Sequence, residues 1–412
     1  MNTLTRRRFL TLSGVTAAGA LALGATHTSW DHLMSAAATS PLDPQHGVLV
    51  VVTLYGGNDG LNTVVPAADP AYQAARPHLA YTPTEVLDLG QGLGLNPGLA
   101  GMKGLWDAGN LAIVRGVGYP TPDHSHFRSM AIWQTASPTT SVPTGWLGRY
   151  LDTAHDPLRA VSVEPVLPPM LAGRTTAAAS LPVGGLRLPT GALGATFTGL
   201  GAAQPGEGPM QARVARSISD LHDTVRVLGG AVAPIAAEQA GSAHRSGAPK
   251  GRSGALAAQL DLVAGLVEAG VPTRVYSVSL GGFDTHADER GTQQSLLTEL
   301  DAALTPFALR MKGTDRGRQV VVMVYSEFGR RVLANASDGT DHGTANPVFL
   351  LGNGVRGGFH GHQPSLTDLD DGDLKAHTDF RDVYGSLLHT VLGADPGAVL
   401  DGWTGQVDGL LA

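Results

Sequence analysis

GVLVVVTLYGG, residues 47–57, is an unbroken apolar run rich in β-branched residues and closed by two glycines. A half-buried strand alternates polar and apolar positions, whereas a strand buried on both faces need not. The run therefore reads as a central strand of a parallel sheet. Similar runs are LAIVRGV (111–117), TRVYSVSL (273–280), QVVVMVYS (319–326) and PVFLLG (347–352).

Helical patterns lie between several of these runs. Met210, Val214, Ile218, Leu221, Val225 and Leu228 repeat at three and four residues. So do Leu256, Leu260, Val263 and Val267, and again Leu297, Leu300, Leu304, Phe307 and Met311. Strands alternating with helices predict an α/β fold, a mostly parallel central sheet with helices on both faces. One domain spanning 46–412 is expected. Residues 164–208, rich in Pro, Gly, Ala and Thr, read as an insertion, and 236–254 as a flexible loop.

The start of the chain reads as an export signal. LTRRRFLTLSG (4–14) places Arg6, Arg7 and Arg8 before Phe9 and Leu10, and a moderately apolar run follows to Ala25. This is a twin-arginine pattern. The run is short and rich in Gly and Thr for a membrane span, and Ala36 and Ala38 suit an A-x-A cleavage site. A signal peptide of residues 1–38 is expected, with the twin-arginine export machinery as its partner. The expected location is periplasmic, cell-surface or extracellular, with no stable membrane insertion after processing.

Formal charge is −7 for the chain, and loss of residues 1–38 leaves −9, with 25 basic against 34 acidic residues. An acidic protein without a basic stripe repels nucleic acid and anionic lipid, so nucleic acid is not an expected partner. Cysteine is absent. An exported chain without disulfides depends on its core or on metal ions for stability. The chain has no P-loop, no dinucleotide glycine fingerprint after the first strand, no GxSxG and no HExxH. Nucleotide kinases, NAD enzymes, the usual lipases and zincins are thereby set aside.

Four stretches gather carboxylates and imidazoles beside the strand runs: GGNDG (56–60), GGFDTH (281–286), YSEFGR (325–330) and GTDHGTANP (339–347). Ligands of open α/β sheets collect beyond the carboxyl ends of strands, so these stretches are read together. Asp59 is a candidate metal ligand, although Asn-Asp-Gly is also an ordinary turn. Asp284 and His286, two positions apart, point to one side if strand geometry continues. Glu327 ends a fully apolar strand and reads either as a metal ligand or as the ion-pair partner of Arg330 and Arg331. Asp341 and His342 stand side by side, where a carboxylate can fix a ligand histidine's tautomer. In DHSHFRSMAIWQ (123–134), Asp123 or Ser125 can cap a helix through Phe127, Met130 and Trp133. Ser125 at that helix start suits a nucleophile, and His124, His126 and Arg128 supply donors to oxygen.

Taken together, LYGGNDGLNTVVP, SHFRSM, GGFDTH, YSEFGR, GTDHGTANPVFLLGNGVRGG and HTDFRDVYGSLL resemble an exported bacterial family. It is the domain-of-unknown-function family fifteen-oh-one (DUF 1501), a remote relative of the alkaline phosphatase and sulfatase superfamily. The resemblance implies an alkaline phosphatase-like fold and one or two divalent metal ions. Asp59 resembles that superfamily's first-strand acid, and Ser125 its nucleophile. Asp284 and His286 resemble the acid and first histidine of a second metal, and His342 its last histidine. Two departures stand out: Asp-x-His replaces Asp-x-x-x-His, and Glu327-Phe328 replaces an Asp-His pair. A carboxylate-rich set of this kind favours Mg, Mn or Ca over Zn. The expected activity is metal-dependent hydrolysis of phosphate or sulfate esters, small-molecule or polymeric, with Ser125 attacking and Arg128 neutralising the anion. The alternative is a non-catalytic exported scaffold with a degenerate or structural metal site.

Overall fold

The computed structural model describes residues 26–27, 30–164, 166–181 and 254–412. The helical repeat expected at 209–229, residues 236–253 of the expected loop, residues 182–208 of the expected insertion and most of the expected signal peptide lie outside the described residues. In chain order the main strands are β1 (Val48–Tyr55), β2 (Leu111–Gly118), β3 (Ala160–Ser162), β4 (Ala179–Ser180) and β5 (Val275–Gly281). Then come β6 (Val320–Ser326), β7 (Arg330–Ala334), β8 (Thr340–His342), β9 (Asn346–Gly352) and β10 (Gly358–His360). The main helices are α1 (Trp30–Thr39), α2 (Ala100–Asp107), α3 (His126–Thr135), α4 (Trp146–Ala154), α5 (Ala255–Ala269), α6 (Glu289–Lys312) and α7 (Phe380–Ser386).

Across the central sheet the order is Thr26–His27, β4, β3, β5, β1, β6, β9, β2, β10, with Thr378–Asp379 also pairing β2. β1 lies at the middle, parallel to both β5 and β6. The expected α/β class with a mostly parallel sheet is the one observed. β9 is the exception, antiparallel to β6 and to β2. Residues 327–345 carry the β7–β8 hairpin and no crossover helix, so the chain turns back beside β6. This reversal puts the start of β9, not its end, on the edge where β1, β5 and β6 finish. The 339–347 stretch therefore joins the other three motifs.

Two cores flank the sheet. Val48, Val50, Val52 and Leu54 of β1 pack with α5 and α6 residues such as Leu260, Val263, Leu297 and Leu304. Leu49 and Val51 face the opposite core, which includes Trp133, Trp146, Phe380 and Tyr384. Burying each such Val or Leu contributes roughly 1.5–3 kcal/mol, which explains why the strand needs no polar face.

Two boundaries differ from expectation. α1 contains residue 38, and its Leu33 is fully buried while Ala37, one turn on, joins the same core. The folded body thus reaches back past the expected cleavage point. Residues 166–181, expected within an insertion, form part of a core instead. Met170 and Leu171 are buried against α4, and the chain pairs through β4. The close approach explains Gly148, where a Cβ would stand 2.1 Å from the Ala172 carbonyl carbon.

Past the end of β1, Gly57 adopts φ +69°, and a Cβ there would lie 2.3 Å from Cε2 of Phe328. Gly57→Ala combines a left-handed alanine with an overpacked ring. It should cost about 2 kcal/mol or more, read as a lower urea midpoint with unchanged slope.

Candidate metal centre

Asp284 follows β5 and His286 lies two residues on. His342 ends β8, and His126 opens α3. Their polar atoms converge. From Oδ1 of Asp284 the distances are 3.0 Å to Nε2 of His286, 3.2 Å to Nε2 of His342 and 3.3 Å to Nε2 of His126. Nε2 of His286 and Nε2 of His342 are 2.9 Å apart. His126, Asp284 and His342 bring their ligand atoms mutually within 4.8 Å, the one such group of three found among the described residues.

The outer nitrogens explain why the inner ones are available. Nδ1 of His342 lies 2.7 Å from the carbonyl oxygen of His124. A carbonyl only accepts, so Nδ1 carries the proton and neutral His342 presents an Nε2 lone pair inward. Nδ1 of His126 lies 2.8 Å from Oε1 of Glu327, which sets the same tautomer. Nε2 of His126 is then buried with no hydrogen-bond partner. Nδ1 of His286 lies 3.7 Å from Oδ1 of Asp341. Backing of ligand histidines by carbonyls and carboxylates is what metal sites use to orient imidazoles. Ligands of a tetrahedral ion at ordinary metal–nitrogen distances stand ~3.4 Å apart, close to the separations seen here. The donor set fits a divalent ion.

Charge is arranged in the same sense. Burial alone would raise the Asp284 carboxyl, but the hydrogen bond and the charge of Arg330 hold it well below the usual range. The Glu327 hydrogen bond draws the His126 pKa up, whereas burial draws that of His342 down. Phe328 packs against two of the rings, with centroids 4.9 Å from His126 and 4.8 Å from His342.

Of the expected ligands, the structure brings together Asp284, His286 and His342. Glu327 stands behind His126 rather than in the cluster. Its carboxylate is buried and also accepts from Gly56 N–H and Ser326 Oγ. Nor does it pair with an arginine, because Arg330 turns to Asp284 at 2.8 Å. Asp341 lies behind His286. Asp59 does not join the cluster: both it and Arg76 are fully buried, and Arg76 grips its two oxygens at 2.5 and 3.0 Å. A carboxylate so paired has no free direction toward a shared ion. His126, expected only as a donor to oxygen, is the added member. Its signal was the His-Ser-His triplet at a helix start. Ser125 is the exposed N-cap of α3, its hydroxyl making no capping bond. It sits between His124, which holds His342, and His126. Arg128 follows, half-buried, in the first turn of α3.

Beneath the cluster lies a second buried layer. Glu289, at the start of α6, accepts from Thr340 Oγ1 at 2.6 Å. Burial first, then the neighbouring Asp59 charge, push its carboxyl up to about 9. Arg76 favours the charged form of Asp59 strongly enough to overcome burial and lower its pKa.

The chain belongs to the family described as "Protein of unknown function (DUF1501)", which matches it over residues 202–410. No curated protein matches the sequence. Among solved structures it is similar to the C-terminal periplasmic domain of EcEptC from Escherichia coli, in complex with Zn. That likeness has 9% identity and a TM-score of 0.43, over 88% of this chain and 90% of the other. It is also similar to an alkaline phosphatase superfamily protein from Vibrio parahaemolyticus, with 10% identity and a TM-score of 0.40, over 95% and 78% of the two chains. A third similar structure is the lipoteichoic acid synthase LtaP from Listeria monocytogenes, with 10% identity and a TM-score of 0.39, over 95% and 81%. No helix among the described residues is long and apolar enough to cross a membrane.

The buried layer carries a pH signature. Between the usual 4.5 of a glutamate and about 9, folded Glu289 holds a proton that the unfolded chain has released. Its contribution therefore favours the fold at low pH and is lost as pH rises through that window. The lowered pKa of Asp59 acts in the opposite sense, and only in more acid solution. Urea unfolding at pH 5.5 and 8.5 should show a loss of stability on going to the higher pH. Glu289→Gln, which keeps an acceptor for Thr340, should shrink that loss.

Proposed function

We propose that this DUF1501 protein is an exported metal-dependent hydrolase of phosphate or sulfate esters, built around one transition-metal ion. The observation that supports this best is the meeting of three Nε2 atoms with one carboxylate oxygen, two of the imidazoles fixed from behind with their lone pairs inward. An imidazole-rich set favours zinc, iron or nickel over the calcium, magnesium or manganese that a carboxylate-rich set would take. Arg330, buried and ion-paired to Asp284, supplies a fixed positive charge beside the ion.

An ion held there would supply Lewis-acid polarisation of the ester and favour ionisation of a nearby hydroxyl. The remaining roles fall to the chain. Ser125 attacks phosphorus or sulfur in line as the alcohol oxygen leaves, and water later cleaves the serine ester and restores the hydroxyl. The first N–H groups of α3 favour negative charge at the serine oxygen. Arg128 neutralises the equatorial oxygens.

Purified protein equilibrated with zinc should retain about one ion per chain, measured by plasma mass spectrometry. Asp284→Asn or His126→Ala should lose it, while Asp59→Asn should keep it. Ser125→Ala should keep the ion yet fail to turn over 4-nitrophenyl phosphate and sulfate. A protein that binds no ion overturns the proposal. Binding with no turnover of any ester favours the non-catalytic scaffold, in which Arg330 already neutralises Asp284 and the ion is structural.

Export by the twin-arginine route belongs to the same proposal and is supported by Arg6-Arg7-Arg8. The double variant Arg6→Lys, Arg7→Lys should accumulate in the cytoplasm on cell fractionation. Unchanged export would remove this part.

A further inference from the structure

We infer that the cavity beside the histidine cluster receives the alcohol part of the ester, and that it suits a neutral, hydroxyl-rich group of monosaccharide size. This inference rests on the hydrolase reading for the word ester, but not for the binding itself. The cavity measures about 450 Å³, within the range of small-molecule sites. It opens where β2 ends and the chain runs through Tyr119–Asp123 toward Ser125, so one loop both walls the cavity and delivers the serine.

Two links tie the cavity to the cluster. Phe328 is part of the cavity wall and packs against His126 and His342. Asp373, also on the wall, takes Nε2 of His124 at 2.7 Å, and the carbonyl of His124 holds His342. A group bound in the cavity is thus one side chain away from the converging ligand atoms.

The wall chemistry selects the occupant. Asp123, Asp370, Asp373 and Asp379 line the cavity beside Tyr119, Trp133 and Phe328. Nε1 of Trp133 and Oδ1 of Asp373 are buried with no hydrogen-bond partner among the described residues; Arg331 Nε stands 3.5 Å from the latter. Leaving such groups unmatched is costly. A hydroxyl both donates and accepts, so a polyol can satisfy an orphan donor and an orphan acceptor together. A cation fits less well, because Arg381 already neutralises Asp379 at 2.7 Å and Arg331 stands against Asp373. An anionic alcohol would instead face Asp123 and Asp370, which no cation pairs among the described residues, while Lys375 on the wall is already held by Asp368.

Calorimetry on the zinc-loaded protein with methyl glucoside, N-acetylglucosamine, myo-inositol and choline tests the inference without needing turnover. At least one of the three polyols should bind in the millimolar range or tighter, and choline should not. Asp370→Asn, at an exposed wall position, should weaken that binding by about fivefold. Trp133→Phe should do the same where it folds. In parallel, glucose phosphate or sulfate esters should exceed the methyl esters by about tenfold in kcat/KM, with Asp370→Asn reducing only the sugar esters. Polyol binding with no hydrolysis of any ester leaves the cavity standing and the hydrolase reading fallen. Turnover of methyl esters with neither polyol binding nor sugar preference does the reverse. Tighter binding of choline than of any polyol overturns the inference.

Discussion

The site depends on the guanidinium of Arg330. It is buried, and it donates to the carbonyl oxygens of Gly56, Gly57, Phe283 and Thr340 as well as to Asp284. Those acceptors belong to the loop after β1, the loop after β5 and the hairpin strand β8. One side chain therefore ties together the ends of three elements that share no covalent proximity. A lysine, with three donors and no planar fork, could not reach five acceptors in these directions. Loop carbonyls at a sheet edge would otherwise seek water, and ordering the loops without such a clamp would cost conformational entropy.

That clamp also sets the electrostatics. Asp284 receives the guanidinium on the same oxygen that faces the three histidines, so it stays ionised despite its partial burial. Glu327 stays ionised by a different route, through His126 and a backbone N–H. Beneath them the Asp59–Arg76 pair cancels its own charge. Arg76 directs its remaining donors to Asn62 Oδ1 and to the backbone oxygens of Arg331 and Val332, next to the clamp in sequence. Glu289, buried against that pair, holds its proton. This deeper layer thus keeps one compensated ion pair and one neutral acid, the arrangement in which burial costs least.

Much of this was legible in the sequence, for physical reasons that also mark where legibility ends. β1, β2, β5 and β6 were readable because a two-sided strand must be apolar at every position, a local requirement. α5 and α6 followed from their three-four spacing. Asp284, His286 and His342 were readable because side chains with lone pairs gathered at strand ends. Pairing was not readable. Glu327 and Arg330 lie three residues apart, yet the turn at Phe328–Gly329 sends them to different partners. Asp59 finds Arg76 seventeen positions on, at a distance no period encodes. His126 was hidden because a histidine at a helix start is equally consistent with an exposed first turn. Only the third dimension aims it at Asp284. The direction of β9 was hidden too, since an apolar run reads the same both ways and the hairpin before it decides.

Phe328 connects the clamp, the cluster and the cavity, and its place is fixed by an absence on the opposite loop. Gly57 leaves the space that the ring fills. The ring's other contacts are two imidazoles and the cavity wall. A ring so confined cannot turn away to let the histidines spread, so the spacing of His126 and His342 is set by packing as well as by hydrogen bonds. Interiors transmit such constraints because they are close-packed. The glycine that closes the first apolar run thereby acts on the histidine geometry through a single phenyl ring.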